Sequence, residues 1–388
     1  VSFSLNMMGG NTFAQHGHTG KGVVIAILDA GFSGADSHEA FRQLGLNGQI
    51  RATYDFVGKT SDVYHCKSDH GTEVFSCIAG KMGGKNMGFA PDATFLLARI
   101  MKEYGNEFRG EENFVAGVEW SDKNGATLIN SSAGPNDFEY MPEEMDGKTA
   151  LISRAANLAA RKGMLVIAAA GNEGGTRDEN LLPPADSDSV LAVTAVNDTG
   201  FIADYSSVGP VFDFRTRKPD VCAPGTAIVA YGDNEYGIGD GTSFSCPFVV
   251  GFAACLVEMY PDITPLGLMD TLRHSGSLYP YFDYAHGNGI PQASYFFDPP
   301  GAMPETFSFG THDSYTDIII DDNFMPDCCR KMPTLLFYNL ETASGKIYRY
   351  GVIEVRSKKP LSIDNLQDVT PGTKLNVSYK GYYASKVF

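Results

Sequence analysis

One pattern constrains the fold of this chain more than any other. Between Gly22 and about Leu272, continuous apolar runs of strand length alternate with segments of helical character. The strand candidates are Val23–Leu28, Thr94–Met101, Thr127–Ser131, Met164–Ala169, Val190–Ala195 and Ala227–Ala230. The helix candidates among them are Thr72–Ala79, Glu112–Lys123 and Thr149–Lys162. An uninterrupted apolar strand must be covered on both faces, and such strands joined through helices build a parallel sheet with a helical layer on each side. The expected fold class is therefore α/β, three layers around a mainly parallel central sheet. Ligands of such sheets bind beyond the carboxyl ends of the strands, so the residues that follow each apolar run are where chemistry is to be sought.

The pattern closes with a helix opened by Thr264 and Pro265 as cap and first residue, with a stop expected at Gly276. The texture then changes. "FDPPGAMPETF", Phe297–Phe307, is proline-rich and reads as a linker. Beyond it "DIIID", "TLLFYNL", "KIYRYGVIEV", "LSIDNL" and "KLNVSYKGYY" are short runs of largely alternating character separated by turn residues, the pattern of a small all-β, sandwich-like domain. The expected division is 1–297 for the α/β domain, 298–307 for the linker and 308–388 for the β-domain.

Composition excludes more than it identifies. With 388 residues, 43% hydrophobic and 20% charged, the chain has material for a sizeable core. A net charge of −16 with no basic run beyond "RSKK", Arg356–Lys359, excludes nucleic acid as a partner. The longest apolar runs, "VVIAIL" and "MLVIAAAG", are too short to span a bilayer, so no transmembrane segment is expected. The first ten residues, "VSFSLNMMGG", lack the charged and apolar regions of a signal peptide. The seven cysteines fall at no metal-ligand spacing, and their odd number leaves at least one without an intramolecular partner. Cys328 and Cys329 are either a vicinal disulfide or two thiols.

Four short motifs stand where the architecture puts chemistry. "AILDAGF" places Asp29 at the end of the first apolar run, and "SDHGTEVFSCIAG" places His70 just ahead of an apolar helix. "VIAAAGNEGG" ends a buried strand at Gly171 and Asn172. "GDGTSFSCPFVVGFAACL", Gly239–Leu256, sets Thr242 and Ser243 directly before an apolar run. Each has a plain structural reading: Asp, Asn and Gly form turns, a lone His is commonly structural, and Thr or Ser begins helices. Pro247 adds an irregularity, because it removes the helical hydrogen bond to the carbonyl of Ser243. Together the four supply what serine needs to become a nucleophile: a base to take its proton, a carboxylate to orient that base, and a fixed donor for the resulting oxyanion. The chain order Asp, His, Ser is the one associated with subtilisin.

On "DAG", "HGT", "AAAGNEG" and "GTSFSCP" the chain resembles the subtilisin-like serine proteases, the subtilases. "GFAPDATFLLARI", "INSSAGP", "SVLAVTAVN", "YSSVGP" and "DVCAPGTAIVA" resemble family segments in family order, over roughly the first three-quarters of the chain. The resemblance implies a subtilisin-like peptidase domain that hydrolyses peptide bonds, with Ser243 as nucleophile, His70 as base and Asp29 orienting it. It implies an oxyanion hole formed by Asn172 and the backbone N–H of Ser243. It implies a cleft lined by the backbone of Ser131, Ser132, Ala133 and Gly134 and of Ala169, Ala170 and Gly171, pairing with an extended peptide as an added strand. Leu182 falls near the floor of the primary pocket, often glycine in the family, so a shallow pocket for small or medium apolar side chains is expected.

The departures are local. Phe248 stands where the serine block usually has His, Glu73 where the histidine block has a second His, and Ala30 where a hydroxyl residue commonly follows the Asp. "KMGGKNMGFAP" is poor in ligands beside the family's calcium loop, and His38 stands where that site has Asp, so that site is expected to be missing. Asp186, Asp188 and neighbouring carbonyls are the remaining calcium candidates, and no cofactor is required for the chemistry. The resemblance further implies protein or peptide substrates, a monomer, and an exported protein, extracellular, at the cell surface or periplasmic, made with a signal and propeptide. The competing reading is a catalytically silent binding protein on the same scaffold. A lipase would need Gly-x-Ser-x-Gly and the order Ser, Asp, His, neither of which is present.

Overall fold

The computed structural model describes residues 3–101, 110–132, 140–176, 180–211, 216–298, 301, 303–312, 315–326, 333–357, 359–363 and 369–388. Its centre is a seven-stranded sheet in the spatial order Ile50–Asp55, Thr94–Arg99, Val24–Asp29, Leu128–Ser131, Leu165–Ala169, Val190–Val196 and Val221–Pro224, with every neighbouring pair parallel. Parallel pairing brings all the carboxyl ends to one edge. The register aligns Asp29 with Arg99 on one side, and Leu28 with Ser131 on the other. Ser131 in turn pairs with Ala168.

The central strand shows why its apolar run is continuous. Ile25 and Ile27 enter one core, covered by the helices His70–Ala79 and Thr242–Met259, whereas Val24, Ala26 and Leu28 enter the other, covered by Gly110–Lys123 and Leu151–Arg161. Both faces are dry, so neither can be polar. Thr242–Met259 is buried on all sides from Thr242 to Val257. It is 18 residues long with a mean hydropathy of 1.5, which meets the length and composition of a membrane span, contrary to the expectation that no run is long enough. Its window is 78% buried within the fold, and it is packed as the core helix of the sheet.

Two strands depart from expectation. Thr226–Ala230 is not part of the central sheet but pairs antiparallel with Tyr236–Asp240 as a separate ribbon. Gly225 separates it from the true edge strand, Val221–Pro224, whose brevity hid it. At the other edge Ile50–Asp55 is only partly buried, and its mixed sequence carried no strand signal. The helix after Thr264 is capped as expected, the Thr264 side chain accepting from Gly267 N–H at 3.2 Å, and it ends at His274 with Ser275 as its C-cap.

The C-terminal strands form two antiparallel sheets, one of three strands (Phe307–Thr311, Thr316–Ile320, Leu361–Ile363) and one of four (Ile347–Glu354, Leu335–Glu341, Lys374–Tyr379, Tyr382–Val387). Phe307, Ile318 and Ile363 of the first meet Leu336, Leu340, Leu375, Val377 and Tyr379 of the second in one buried cluster. The opposite face of the four-stranded sheet docks on the segment Tyr281–His286. Asn339 Nδ2 donates to the carbonyl of Phe282 at 2.7 Å, Arg217 pairs with Glu341 at 3.2 Å, and Phe282, Tyr284 and Ile347 share a small apolar cluster.

Candidate active site

Side chains alternate along a strand, so Asp29 continues the series Ile25, Ile27 and emerges at the carboxyl end toward the helices that carry His70 and Ser243. Gly71 explains how closely the first of these helices approaches. Its N–H donates to the Gly31 carbonyl at 2.8 Å, and a Cβ at this position would stand 2.5 Å from that oxygen. His70, the first residue of that helix, is thereby set with Nδ1 2.7 Å from Asp29 Oδ1. The Asp29 side chain is fully buried and that of His70 is 24% exposed. An ionised carboxylate can only accept, so Nδ1 carries the proton and Nε2 is left as the basic nitrogen.

Asp29 Oδ1 also accepts from the Ala30 N–H at 2.7 Å, while Oδ2 is buried with no hydrogen-bond partner among the described residues. Alanine at position 30 offers no hydroxyl to fill that role. Arg99, at the end of the neighbouring strand, braces the turn: Nε donates to the Ala30 carbonyl at 2.9 Å and a terminal nitrogen to Asp55 Oδ2 at 2.9 Å. The sequence reading did not single out Arg99, although a charged residue closing an apolar strand was a signal.

Gly241, with φ 154° and ψ 158°, is the cap residue of the long helix, Thr242 its first residue and Ser243 its second. The expectation that Thr242 or Ser243 begins the helix therefore holds for Thr242, but neither side chain caps it. The hydroxyl and the N–H of Thr242 both donate to Asn172 Oδ1 at 3.0 Å. Because an N–H cannot donate to an amide NH2, this contact fixes which end of the Asn172 amide is which and turns Nδ2 away from Thr242. A Cβ grown from Gly241 would stand 3.6 Å from Asn172 Nδ2 and 3.7 Å from Ser243 N, so the two nitrogens border one space. Ser243 is nearly buried, and its Oγ donates to the Ser132 carbonyl at 2.9 Å.

The residues expected to line a cleft divide. Ser131 is paired on both sides within the sheet, whereas Ser132 reaches Ser243. The N–H and carbonyl of Ala170 bond to Val193 O and Leu182 N, and those of Gly171 to Thr242 Oγ1 and Ser207 N. The backbone groups of Ala170 and Gly171 are thus taken up within the chain, which leaves no free pairing edge there. Ala169, half-buried, ends its strand opposite Val193. Leu182 stacks under Gly171: a Cβ there would lie 2.7 Å from Leu182 Cγ. Ala133 and Gly134, and likewise Cys328 and Cys329, lie outside the described residues.

The calcium candidates are occupied with the chain's own donors. Asp186 accepts from Gly147 N–H at 2.8 Å and Ser153 Oγ at 2.6 Å, and Asp188 accepts from the Thr216 hydroxyl. Burial pushes the Asp186 carboxyl up to about 6 against the pull of those donors. His38 is consumed as a cap, Nδ1 accepting from Ala40 N–H at 2.9 Å and Nε2 lying 3.0 Å from the Glu235 carbonyl. Among the described residues no group of three or more His, Cys, Asp and Glu could hold a metal ion. Cys66, Cys77, Cys222, Cys246 and Cys255 are free, and burial pushes the Cys246 thiol, one turn past Ser243, up to about 12.

The all-parallel α/β sheet thus carries a buried Asp29 bonded to His70 and, at a helix start, a serine bonded to the Ser132 carbonyl, and comparison with known proteins supplies the family. The Subtilase family model matches residues 20–289. Subtilisin NAT of Bacillus subtilis subsp. natto is 30% identical over 295 residues, covering 75% of this chain and 69% of that protein. The minor extracellular protease Epr of Bacillus subtilis (strain 168) is 30% identical over 260 residues, 66% of this chain and 35% of that one. The crystal structure of a cold-adapted subtilisin-like serine proteinase superposes with a TM-score of 0.58 at 24% identity, over 75% of this chain and 96% of that chain. The chain belongs to the subtilase family of serine peptidases. The C-terminal sheets lie beyond the matched residues.

Proposed function

We propose that this protein is a serine endopeptidase in which Ser243 attacks the scissile carbonyl, His70 Nε2 takes the hydroxyl proton, and Asp29 holds the imidazole and stabilises its cation. The single observation that carries the reading is the 2.7 Å bond from His70 Nδ1 to a fully buried Asp29 at the carboxyl edge of the sheet. Attack requires the Ser243 hydroxyl to turn from the Ser132 carbonyl to Nε2. The oxyanion then faces Asn172 Nδ2 and the Ser243 N–H, the latter at the positive end of an 18-residue helix. His70 passes its proton to the leaving amine, and water repeats the sequence on the acyl-enzyme.

The extended substrate pairs with the backbone at Ser132, just past the strand Leu128–Ser131. Gly171 and Leu182 favour a small or medium apolar side chain in the primary pocket, a preference that cleavage of a peptide library measures and that a dominant Arg, Lys or Phe would refute. Epr is named as extracellular and the family relatives are subtilisins, which supports an exported protein. The C-terminal sheets dock without contributing any of the four chemical groups, and no described calcium ligand set accompanies them. The test is labelling by a fluorophosphonate probe: reaction of the wild type and none of Ser243→Ala is expected. An unlabelled wild type would favour the silent binding protein.

A further inference from the structure

The chemistry proposed above depends on where Asn172 Nδ2 is held, and Thr242 fixes only the rotation of that amide. The backbone on either side of Asn172 is tied to one other residue. Ser207 N–H donates to the Gly171 carbonyl at 2.9 Å, and Ser207 Oγ accepts from the Glu173 N–H at 3.2 Å. One residue further on, Gly174 N–H donates to the Tyr205 carbonyl at 2.8 Å. Ser207 is fully buried. Gly171 has φ +111°, and a Cβ there would stand 2.8 Å from Ser207 Oγ, so the two segments are in closest approach where the bracket closes.

We propose that Ser207 is a positioning residue for the oxyanion donor, bracketing Asn172 from both sides, a role that rests on the reading of Asn172 given above. Ser207 reaches no reacting atom. It acts by fixing the peptide units before and after Asn172, so that the amide cannot shift without breaking a bond to Ser207. An oxyanion hole works because its donors are already in place when charge develops, so a group that holds a donor still contributes to kcat and little to substrate binding. The bracket is itself fastened behind. Ser206 Oγ accepts from Ala195 N–H of the central sheet at 3.0 Å, and Gly209 N–H donates to the Tyr284 carbonyl at 2.7 Å.

The test is a double-mutant cycle on peptide nitroanilide hydrolysis by the full chain, with wild type, Ser207→Ala, Asn172→Ala and the double variant. Ser207→Ala is expected to lower kcat about tenfold, with KM changed by less than about twofold. In the Asn172→Ala background the same change is expected to cost less than about twofold, because the donor it positions is gone. Ser207→Cys, which keeps a weak acceptor, is expected to recover part of kcat, and it replaces Ser207→Ala in the cycle should the alanine variant not fold. An equal loss in both backgrounds would show a structural role and overturn the proposal, as would an unchanged kcat in folded Ser207→Ala. A loss from Ser207→Ala with none from Asn172→Ala would mean that Asn172 is not the donor, and the bracket would fall with that reading.

Discussion

At the scale of single residues, the site is a set of atoms each held by something the motif does not contain. Asn172 is presented by Thr242, and Asp29 by the Ala30 N–H and the turn that Arg99 braces. Asn172→Ala is expected to lower kcat with little change in KM, measured on a peptide nitroanilide. Its magnitude, about 100- to 1,000-fold, is the one subtilisin itself established for such a donor, and so is not independent of the family. Asp186 gives a prediction of a different kind. Its carboxyl, ordinarily at 3.8, is pushed up to about 6 by burial. The folded state therefore binds this proton more tightly than the unfolded state. The stability it contributes is complete below 3.8 and lost as pH rises through about 6, on the order of 3 kcal/mol. Asp186→Asn keeps the shape and removes the charge, so the melting temperature of the variant is expected to gain on that of the wild type between pH 4 and pH 7. A difference independent of pH would refute it. The motif residues were legible because chemistry restricts their types. Arg99 and Ser207 were not, since an arginine at a strand end or a serine in a connecting loop has many uses and only the fold shows which neighbour it meets.

At the scale of elements, continuous apolar runs identified most of the central strands, and misassigned or missed those at the edges. The failure has a physical cause. An edge strand such as Ile50–Asp55 is half exposed, so burial does not dictate its composition, and Val221–Pro224 is too short to show a pattern. That second edge is instead secured by charge. Lys218 is fully buried, donating to the Val190 carbonyl and to Asp220 Oδ2 at 2.6 Å, while Arg273 of the Pro265–His274 helix reaches Asp220 Oδ1 at 2.8 Å. Burial opposes ionisation of both partners. It holds Lys218 below the usual ammonium range, whereas the two cations keep the Asp220 carboxyl below its own despite the same burial. Removing one member leaves an uncompensated charge inside. Lys218→Ala is expected to cost about 3 to 5 kcal/mol in denaturant unfolding of the Ser243→Ala protein, which cannot digest itself. Replacing Lys218 and Asp220 together by Met and Leu leaves Arg273, whose side chain is 28% exposed, able to turn to solvent, and is expected to cost less than Lys218→Ala alone.

At the scale of the whole molecule, the C-terminal sheets meet the α/β core through a strip that is part apolar and part hydrogen-bonded, the Phe282, Tyr284 and Ile347 cluster beside the Asn339 bond. Ile347→Asp buries a charge in that cluster and is expected to destabilise docking by about 3 kcal/mol or more. Hydrogen exchange reads it out, with protection lost at Leu335–Glu341 before it is lost in the central sheet. The alternating runs made these strands legible from sequence, but which face docks was not, because Asn339 and Glu341 look like ordinary solvent-facing residues until a partner surface is known.

Asp29 ends, and Ser132 and Asn172 follow, three strands that are consecutive in the sheet. The step between neighbouring strands is about 4.8 Å, a length set by the peptide hydrogen bond and indifferent to side chains. The strands Val24–Asp29 and Leu165–Ala169 are thus two steps of a backbone ruler apart, about 10 Å from axis to axis, a spacing that no substitution in the strands can stretch. A sheet spaced this way tolerates extensive sequence drift in its strands, so differences between this chain and relatives that share 30% of its residues are to be sought in the loops that rise above the ruler.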